Sequence, residues 1–338
     1  MDNKTQLLLN VSDRSYFSLV KKDIHALGMQ QGFSDERAGQ LDIIVAELCS
    51  NLIKHAGHGY LLVKAIEEHG NNGVEVICID NGPGIADIKR MMLDGTSTKH
   101  TLGHGLGALQ RLSDKFDIYS QKDWGTVILS RIFQNPLACY TPKFTTEVKG
   151  LLVPKKGEKV CGDGFYYKHT NNQFKLFVGD GLGHGPDAAK AVDEAINSFK
   201  YCHEENPVEI IKYIHRTVKK TRGLVGTVVT FDFDVKEWNI CGVGNILTKL
   251  SNFSQSKNYM SYNGILGHNI PGSLKEQKTP YEQGQYLILC SDGIKTKWEL
   301  NNYPGIYKKD LSIVTAALYK DQTRNTDDAS VVVAKINL

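Results

Sequence analysis

The sequence lacks the features that mark several classes of protein. Its 338 residues contain 40 lysines and arginines against 37 aspartates and glutamates, so the net charge is only +3. Nucleic-acid binding needs a concentrated basic surface, and this near balance does not support one. No run of about 18 apolar residues occurs, and the first residues lack a basic segment followed by an apolar one. We therefore expect no nucleic-acid partner, no membrane span and a cytoplasmic location.

The cysteines and the composition indicate a reduced globular protein. Seven cysteines are scattered along the chain without a Cys-x-x-Cys pair, a pattern that favours buried thiols over disulfides or zinc ligands. Hydrophobic residues make up 41% and charged residues 23%, which is ordinary for globular proteins. Since domains usually span about 100–200 residues, a chain of 338 residues predicts two domains.

A proline-containing segment without hydrophobic periodicity, 134–142, separates two differently patterned halves. Such a segment is typical of a linker. The sequence predicts a first domain over 1–136, a linker over 137–144 and a second domain over 145–338. Helices alternate with strands in the first half, and strands dominate the second. The chain is therefore predicted to have a two-domain α/β (α+β) fold.

Polar residues share one face of a helix predicted over Asp35–Ala56, which Ser34 caps and Gly57 ends. A carboxylate, an amide and an ammonium group on one face can hold hydrated Mg²⁺ and a phosphate chain. An ordinary solvated face is the alternative. The residues at i, i+4 and i+7 of that face are Glu47, Asn51 and Lys54.

Two glycine-rich segments follow. Asp80-Asn-Gly-Pro-Gly84 comes directly after a predicted strand, where a carboxylate can accept a hydrogen bond from an exocyclic amine and glycine lets a flat ligand approach. A tight turn is the alternative. The segment 95–107 leads into a helix, and backbone N–H groups there attract phosphate; a flexible loop is the alternative. The glycines concerned are Gly82, Gly84, Gly103, Gly105 and Gly107.

The order and spacing of these three segments resemble the GHKL ATPases, whose N, G1 and G2 boxes enclose ATP in a GHKL (Bergerat) α/β sandwich. The matching segments are Glu47–His55, Asp80–Gly84 and Leu102–Gly107, with Thr126 matching a threonine near the adenine. The resemblance implies that Asn51 holds Mg²⁺, Lys54 meets phosphate, Asp80 binds adenine, and Glu47 is the general base. The sequence of the first box is similar to that of small serine kinases of the RsbT and anti-sigma-factor type, which phosphorylate STAS-domain proteins. His55 is the alternative base.

The second half places aspartates beside glycine where predicted strands stop. Asp163, Asp180 and Asp292 are each followed by glycine, and Asp327 and Asp328 are adjacent. Carboxylates that converge on one sheet edge suit Mg²⁺ or Mn²⁺. Hairpin turns are the alternative, but the segment after Asp180 leads into a predicted helix rather than a second strand.

The order of these motifs resembles the metal-dependent protein phosphatases of the SpoIIE, RsbU and RsbX branch, over residues 145–338. The resemblance implies a PPM-type α-β-β-α sandwich and two divalent ions, and Asp180 is also counted as catalytic. A water bridging two metals can attack phosphorus near neutral pH. Cys161 is expected to be a packing residue, and His184 either structures its loop or protonates the leaving oxygen. The implied ligands are Asp163, Asp180, the Gly181 carbonyl, Asp292 and Asp327, with Asp328 less favoured than Asp327.

Together the two resemblances imply one chain with opposed activities. The first half would phosphorylate a serine or threonine of a STAS-domain protein, using ATP with Mg²⁺, and the second half would remove that phosphate. Two alternatives remain. The first half could sense nucleotide without kinase activity, or it could bind a sigma-factor pathway regulator or a second phosphatase.

Overall fold

The computed structural model describes residues 5–11, 13, 16–92, 105–136, 146–170 and 172–338. The chain divides into two compact units, Met1–Thr141 with Lys308–Ala317, and Pro142–Tyr307 with Leu318–Leu338. The linker predicted over 137–144 and the glycine-rich segment 93–104, with Gly103, lie outside the described residues. The inclusion of Lys308–Ala317 in the first unit is a feature that the sequence division did not predict. No helix within the described ranges has the length and hydropathy needed to cross a membrane.

The first unit is built on one antiparallel sheet of five strands in the order β1-β2-β3-β5-β4. Its helices pack on one face of this sheet around a buried apolar core. The strands are β1 (Leu7–Val11), β2 (Gly59–Glu68), β3 (Asn71–Asp80), β4 (Lys115–Gln121) and β5 (Gly125–Phe133). The helices are α1 (Phe17–Gln30), α2 (Asp35–Asn51), α3 (Ile88–Met91) and α4 (Gly105–Leu112).

Helix α2 confirms the helix predicted from Asp35. Ser34 caps it by accepting a hydrogen bond from the Arg37 N–H, and the apolar stripe of the helix is buried. After Asn51 the helix widens into a π-helical turn, Leu52–Ala56. Gly57 follows with φ of 81°, a left-handed conformation that favours glycine.

The other face of this sheet carries three buried charged side chains among buried apolar ones such as Leu62, Ile77 and Leu129. Lys64, Glu75 and Arg131 are almost completely buried there. Arg131 Nε donates to Glu75 Oε2 at 2.7 Å, and Ser312 Oγ donates to the same oxygen at 2.9 Å. Because Ser312 lies in Lys308–Ala317, this segment completes the second face of the first unit.

The second unit contains two antiparallel sheets of five strands, in the orders β13-β10-β9-β8-β7 and β12-β11-β14-β15-β6. A core of buried apolar residues from both sheets fills the space between them. The strands of the first are β7 (Asp163–His169), β8 (Gln173–Gly181), β9 (Leu224–Asp232), β10 (Glu237–Val243) and β13 (Gln277–Pro280). Those of the second are β6 (Thr146–Val153), β11 (Leu247–Ser251), β12 (Ser256–Tyr259), β14 (Tyr286–Cys290) and β15 (Ala329–Ile336).

Helices α5 (Pro186–Tyr201) and α6 (Pro207–Thr217) cover the outer face of the sheet that contains β8 and β9, through a second apolar cluster. Helix α7 (Leu311–Gln322) begins in the first unit and ends in the second. These layers confirm the mixed α/β fold expected from the sequence.

Candidate functional sites

The first site lies where β3 ends. Asp80 Oδ1 accepts hydrogen bonds from the Gly82 N–H at 2.7 Å and from the Thr126 N–H at 3.2 Å. The register of β3 and β5 places Thr126 directly opposite Asp80, and it also explains why Thr126 is buried. These contacts fix the carboxylate at the end of β3. Its contact with a flat ligand stays a prediction.

Two glycines keep the backbone close around this carboxylate. A methyl group on Gly82 would lie 3.0 Å from Ala56 Cα, at the end of the π-helical turn. A methyl group on Gly84 would lie only 1.9 Å from the Gln121 carbonyl oxygen, and the φ of Gly84 is +76°. Glycine is therefore required at Gly84, whereas a side chain at Gly82 would need Ala56 to shift slightly.

The start of α4 lies beside α2. A methyl group on Gly105 would lie 3.4 Å from Glu47 Oε2 and 3.7 Å from Asn51 Oδ1. Glu47 and Asn51 are both half-buried, and they point at the first turn of the helix that follows the glycine-rich segment. The structure therefore brings two of the three predicted boxes together, and Gly107 lies buried in the same helix.

Lys54 and His55 lie in the π-helical turn rather than in α2. A π-helix has i→i+5 hydrogen bonds, so the regular α-helical spacing that aligned Lys54 with Glu47 and Asn51 does not continue into this turn. Lys54 is half-buried and His55 is exposed. The roles of Lys54 and His55 stay predictions.

The second site joins the ends of strands from both sheets. Asp163 opens β7 and lies directly opposite Asp180 near the end of β8. Two carboxylates facing each other across a strand pair repel, which disfavours this pairing unless a cation neutralises it. Both residues were predicted as metal ligands.

The other sheet contributes the loop after β14 and the residues before β15. Asp292 follows Ser291 at the end of β14 and is exposed, while Asp327 is half-buried. Asp328 is buried and its two oxygens accept hydrogen bonds from the N–H groups of Lys155 (2.8 Å) and Gly162 (3.0 Å). Asp327 Oδ1 also accepts a hydrogen bond, from the Asp328 N–H at 2.9 Å. The choice of Asp327 over Asp328 as the metal ligand stays a prediction.

Electrostatics link all of these carboxylates. Burial raises the pKa of Asp180, and the charges of Asp163, Asp292, Asp327 and Asp328 raise it further. Burial also raises the pKa of Asp163, against a lowering effect from the hydrogen bond that Ser291 donates. Carboxylates that disfavour their own ionisation in this way are suited to a bound cation.

The donor set fits a divalent ion. Asp163 Oδ2 accepts a hydrogen bond from Ser291 Oγ at 2.6 Å, whereas Asp163 Oδ1 is buried and has no hydrogen-bond donor among the described residues. A buried oxygen without a partner is costly, and a hard cation would satisfy it. In the described ranges, however, no three His, Cys, Asp or Glu side chains form a metal-ligand set. The carboxylates lie near one another without forming a finished ligand shell.

Close packing explains two glycines here. A methyl group on Gly181 would lie 2.4 Å from the Ala188 carbonyl oxygen in the first turns of α5. A methyl group on Gly162 would lie 2.8 Å from Asp328 Oδ2. Both substitutions would push apart the elements that position Asp163 and Asp180.

Two neighbours of this site have structural contacts. His184 Nδ1 lies 2.7 Å from Glu158 Oε1, a contact that ties down its loop. Cys161 is buried, and burial raises the pKa of its thiol, with Asp163 and Asp328 adding to the effect. A thiol held neutral is a poor nucleophile. All six described cysteines are free and buried, while Cys139 lies outside the described residues.

Sequence reasoning missed the side chains that hold the aspartates in place. Ser291 donates to Asp163 and accepts from the Ser330 N–H at 2.9 Å. Asn245 Nδ2 donates to Asp292 Oδ2 at 3.0 Å. Both belong to glycine-containing motifs visible in the sequence, but only the fold shows which aspartate each one contacts.

Comparisons with known proteins match the two halves of the chain to two different families. Residues 12–131 match the family described as histidine kinase-like ATPase domain, and residues 170–337 match the family described as stage II sporulation protein E (SpoIIE). The chain is 36% identical over 97 residues to the serine/threonine-protein kinase RsbT of Bacillus subtilis (strain 168), covering 29% of this chain and 73% of RsbT.

The second half has relatives of its own. The chain is 25% identical over 192 residues to the phosphoserine phosphatase RsbX of Bacillus subtilis (strain 168), covering 54% of this chain and 91% of RsbX. A crystal structure of RsbX in complex with magnesium superposes with a TM-score of 0.51 at 22% identity, covering 59% of this chain and 98% of that one. At that identity the superposition supports the fold alone.

Proposed function

This chain belongs to the histidine kinase-like ATPase family through residues 12–131 and to the SpoIIE family through residues 170–337, and on that premise we propose two opposed activities. The first unit phosphorylates a serine or threonine of a STAS-domain protein. The second unit hydrolyses the same phosphoester. The observations that support the proposal are that Asp163 lies directly opposite Asp180 in the second unit and that Gly105 lies beside Glu47 and Asn51 in the first.

In the first unit, the proposal assigns a contact with the nucleotide to each of three polar residues. Asp80, held by two backbone donors, binds the exocyclic amine of adenine. Asn51 reaches the Mg²⁺ that accompanies the phosphates, and Lys54 contacts the phosphate chain. The magnesium ion, when bound, neutralises charge on the transferred phosphoryl group.

Glu47 is the general base of the proposed transfer. A serine hydroxyl is a weak nucleophile near neutral pH and needs a base to accept its proton. Glu47 Oε2 faces Gly105 at the start of α4, where backbone N–H groups attract phosphate. This contact supports Glu47 as the group that takes the proton.

In the second unit, Asp163, Asp180, Asp292 and Asp327, with the Gly181 carbonyl, hold two divalent ions, either Mg²⁺ or Mn²⁺. When bound, the ions would lower the pKa of a coordinated water and would neutralise charge on the phosphoryl oxygens. The protein residues orient this centre: Ser291 fixes Asp163 and Asn245 fixes Asp292. No cysteine nucleophile is needed, in keeping with the protonated Cys161.

Phosphotransfer can be tested in a chain that cannot hydrolyse its product. The Asp180→Asn variant is incubated with ATP labelled at the γ-phosphate and a STAS-domain protein. We expect label on a serine or threonine of the partner. A second chain that carries Glu47→Gln together with Asp180→Asn should transfer no label. If neither chain transfers label while both bind ATP, the first unit is a nucleotide sensor. If co-purification with the partner survives in Asn51→Ala, which cannot bind nucleotide, the unit is a binding module.

A further inference from the structure

We propose that Arg222 binds the phosphoryl oxygens of the phosphoserine or phosphothreonine substrate at the second site. The inference rests on the proposed phosphatase function and adds a substrate-binding residue that neither the motifs nor the aspartate cluster includes. Arg222 lies two residues before the start of β9 and has an exposed side chain.

The strand register places Arg222 beside the loop that follows the central aspartate. Strands β8 and β9 pair Asp180 with Val225 and Gly181 with Leu224. The pairing continues past the strand ends, because the Leu182 N–H donates to the Gly223 carbonyl at 3.1 Å. The next pair in this antiparallel order is Gly183 with Arg222.

The guanidinium lies directly on this loop. A methyl group on Gly183 would lie 3.0 Å from Nη2 and 3.4 Å from Nη1 of Arg222. The carbonyl oxygen of Gly183 lies 3.7 Å from the position of a methyl group on Gly162, the residue before Asp163. The loop on which the guanidinium lies therefore also borders the aspartate cluster.

A hydrogen bond holds the backbone of Arg222 in place, while its guanidinium group has no partner in the described residues. His268 Nε2 lies 3.0 Å from the Arg222 carbonyl oxygen, and a methyl group on Gly223 would lie 2.5 Å from the His268 ring. Within the described parts of the chain, the Arg222 guanidinium forms no ion pair and donates no hydrogen bond. A fixed, unpaired arginine at the rim of a metal-binding loop is suited to bidentate binding of phosphate.

The surroundings of Arg222 are basic. Residues 213–231 contain four lysines and arginines and no acidic residue, whereas the preceding Lys212 is paired with Glu209 at 2.7 Å. Burial lowers the pKa of His215, and Lys219, Arg216 and His268 lower it further; consistently, His215 Nδ1 accepts a hydrogen bond from the Gly267 N–H at 3.1 Å. The positive charge of this stretch would favour the approach of a dianionic phosphoryl group.

The test compares Arg222→Ala with Arg216→Ala, an exposed arginine on the same basic stretch that serves as a charge-matched control. The affinity of the Mg²⁺-loaded full chain for inorganic phosphate is measured by calorimetry, together with kcat/KM for a phosphoserine peptide. Arg222→Ala should weaken phosphate binding and lower kcat/KM by about 10-fold to 100-fold, the usual effect of losing a charged hydrogen bond. Arg216→Ala should change both by less than about threefold. Arg222→Lys keeps the positive charge but loses the two parallel N–H donors of the guanidinium. Its phosphate affinity and kcat/KM should lie between those of Arg222→Ala and Arg216→Ala.

The affinity for Mg²⁺ should stay unchanged in Arg222→Ala, because no aspartate is altered. Equal phosphate affinity in the wild type and Arg222→Ala would overturn the inference, as would equal losses in Arg222→Ala and Arg216→Ala. A wild type that binds Mg²⁺ and phosphate but hydrolyses no phosphoester would instead count against the proposed function, and the two failures are thus distinguishable.

Discussion

Arg131 and Asp310 form a two-point ion pair across 179 residues of sequence. Arg131 Nη1 donates to Asp310 Oδ2 at 2.7 Å and Nη2 donates to Oδ1 at 2.8 Å. Glu75, buried beside Arg131, accepts from Nε of the same guanidinium. The first unit is therefore built from residues 12–131 of the ATPase family and also from a segment that lies within the SpoIIE match.

We expect Arg131→Ala to destabilise the first unit by about 3–5 kcal/mol, because removing one partner of a buried pair leaves Glu75 without its guanidinium. Lys309→Ala is the control, since its bond to Asp117 at 2.9 Å is partly exposed and should cost less than about 1 kcal/mol. Hydrogen exchange in β3 and β5, read by mass spectrometry, reports the loss in this unit. Equal exchange in the two variants would show that the buried pair does not hold the segment.

We expect Asp80→Asn to weaken ATP binding by about 10-fold to 100-fold. The amide can still accept from Gly82 and Thr126, but the charge that strengthens a hydrogen bond to adenine is lost. Calorimetric titration with ATP measures the change. GTP, which carries an oxygen where adenine has its amine, should bind weakly to both proteins; unchanged ATP affinity in Asp80→Asn would remove Asp80 from the site.

We expect Asp180→Asn to raise the melting temperature of the second unit in EDTA and to abolish its stabilisation by Mg²⁺. Burial and neighbouring carboxylates raise the pKa of Asp180 in the folded state. A raised carboxylate pKa means that ionisation destabilises the fold, so the wild type should lose stability relative to Asp180→Asn as pH rises above about 4. Scanning calorimetry from pH 5 to 8, with and without Mg²⁺, measures both effects. A constant difference across this range would contradict the electrostatic explanation.

We expect Cys161→Ala to keep phosphatase activity within about threefold of the wild type. Burial holds the pKa of this thiol well above its usual range, so it is protonated at neutral pH and does not act as a nucleophile. Phosphopeptide hydrolysis measures the effect, and iodoacetamide should leave the folded wild type unmodified at Cys161. Loss of activity in Cys161→Ala, with the fold intact by circular dichroism, would restore a catalytic role for the thiol.

Much of this architecture could be predicted from local patterns. The helix from Asp35, its Ser34 cap, and the strand ending at Asp80 follow from periodicity and capping. The strands that dominate the second half are also confirmed, and β10 (Glu237–Val243) is one of them. Gly82 and Gly84 could be singled out because close backbone approach favours a residue without a side chain.

Other features depend on contacts that are distant in sequence. Strands β6 and β7 and helices α1 and α7 went unpredicted, because tertiary packing rather than local periodicity defines them. The sequence analysis did not predict that Lys308–Ala317 belongs to the first unit. This segment is held by contacts with Arg131 and Glu75, which are far away in sequence. Arg222 is similarly invisible to motif reading: its position against Gly183 follows from strand register.

The most direct measurement is partner-dependent release of inorganic phosphate from ATP. With a STAS-domain substrate present, the wild type should release phosphate continuously, because one site phosphorylates the partner and the other dephosphorylates it. Glu47→Gln and Asp180→Asn should each stop this release, and a mixture of the two variants should restore it. Phosphate release that persists without the partner, or in either single variant, would contradict the account of two opposed activities in one chain.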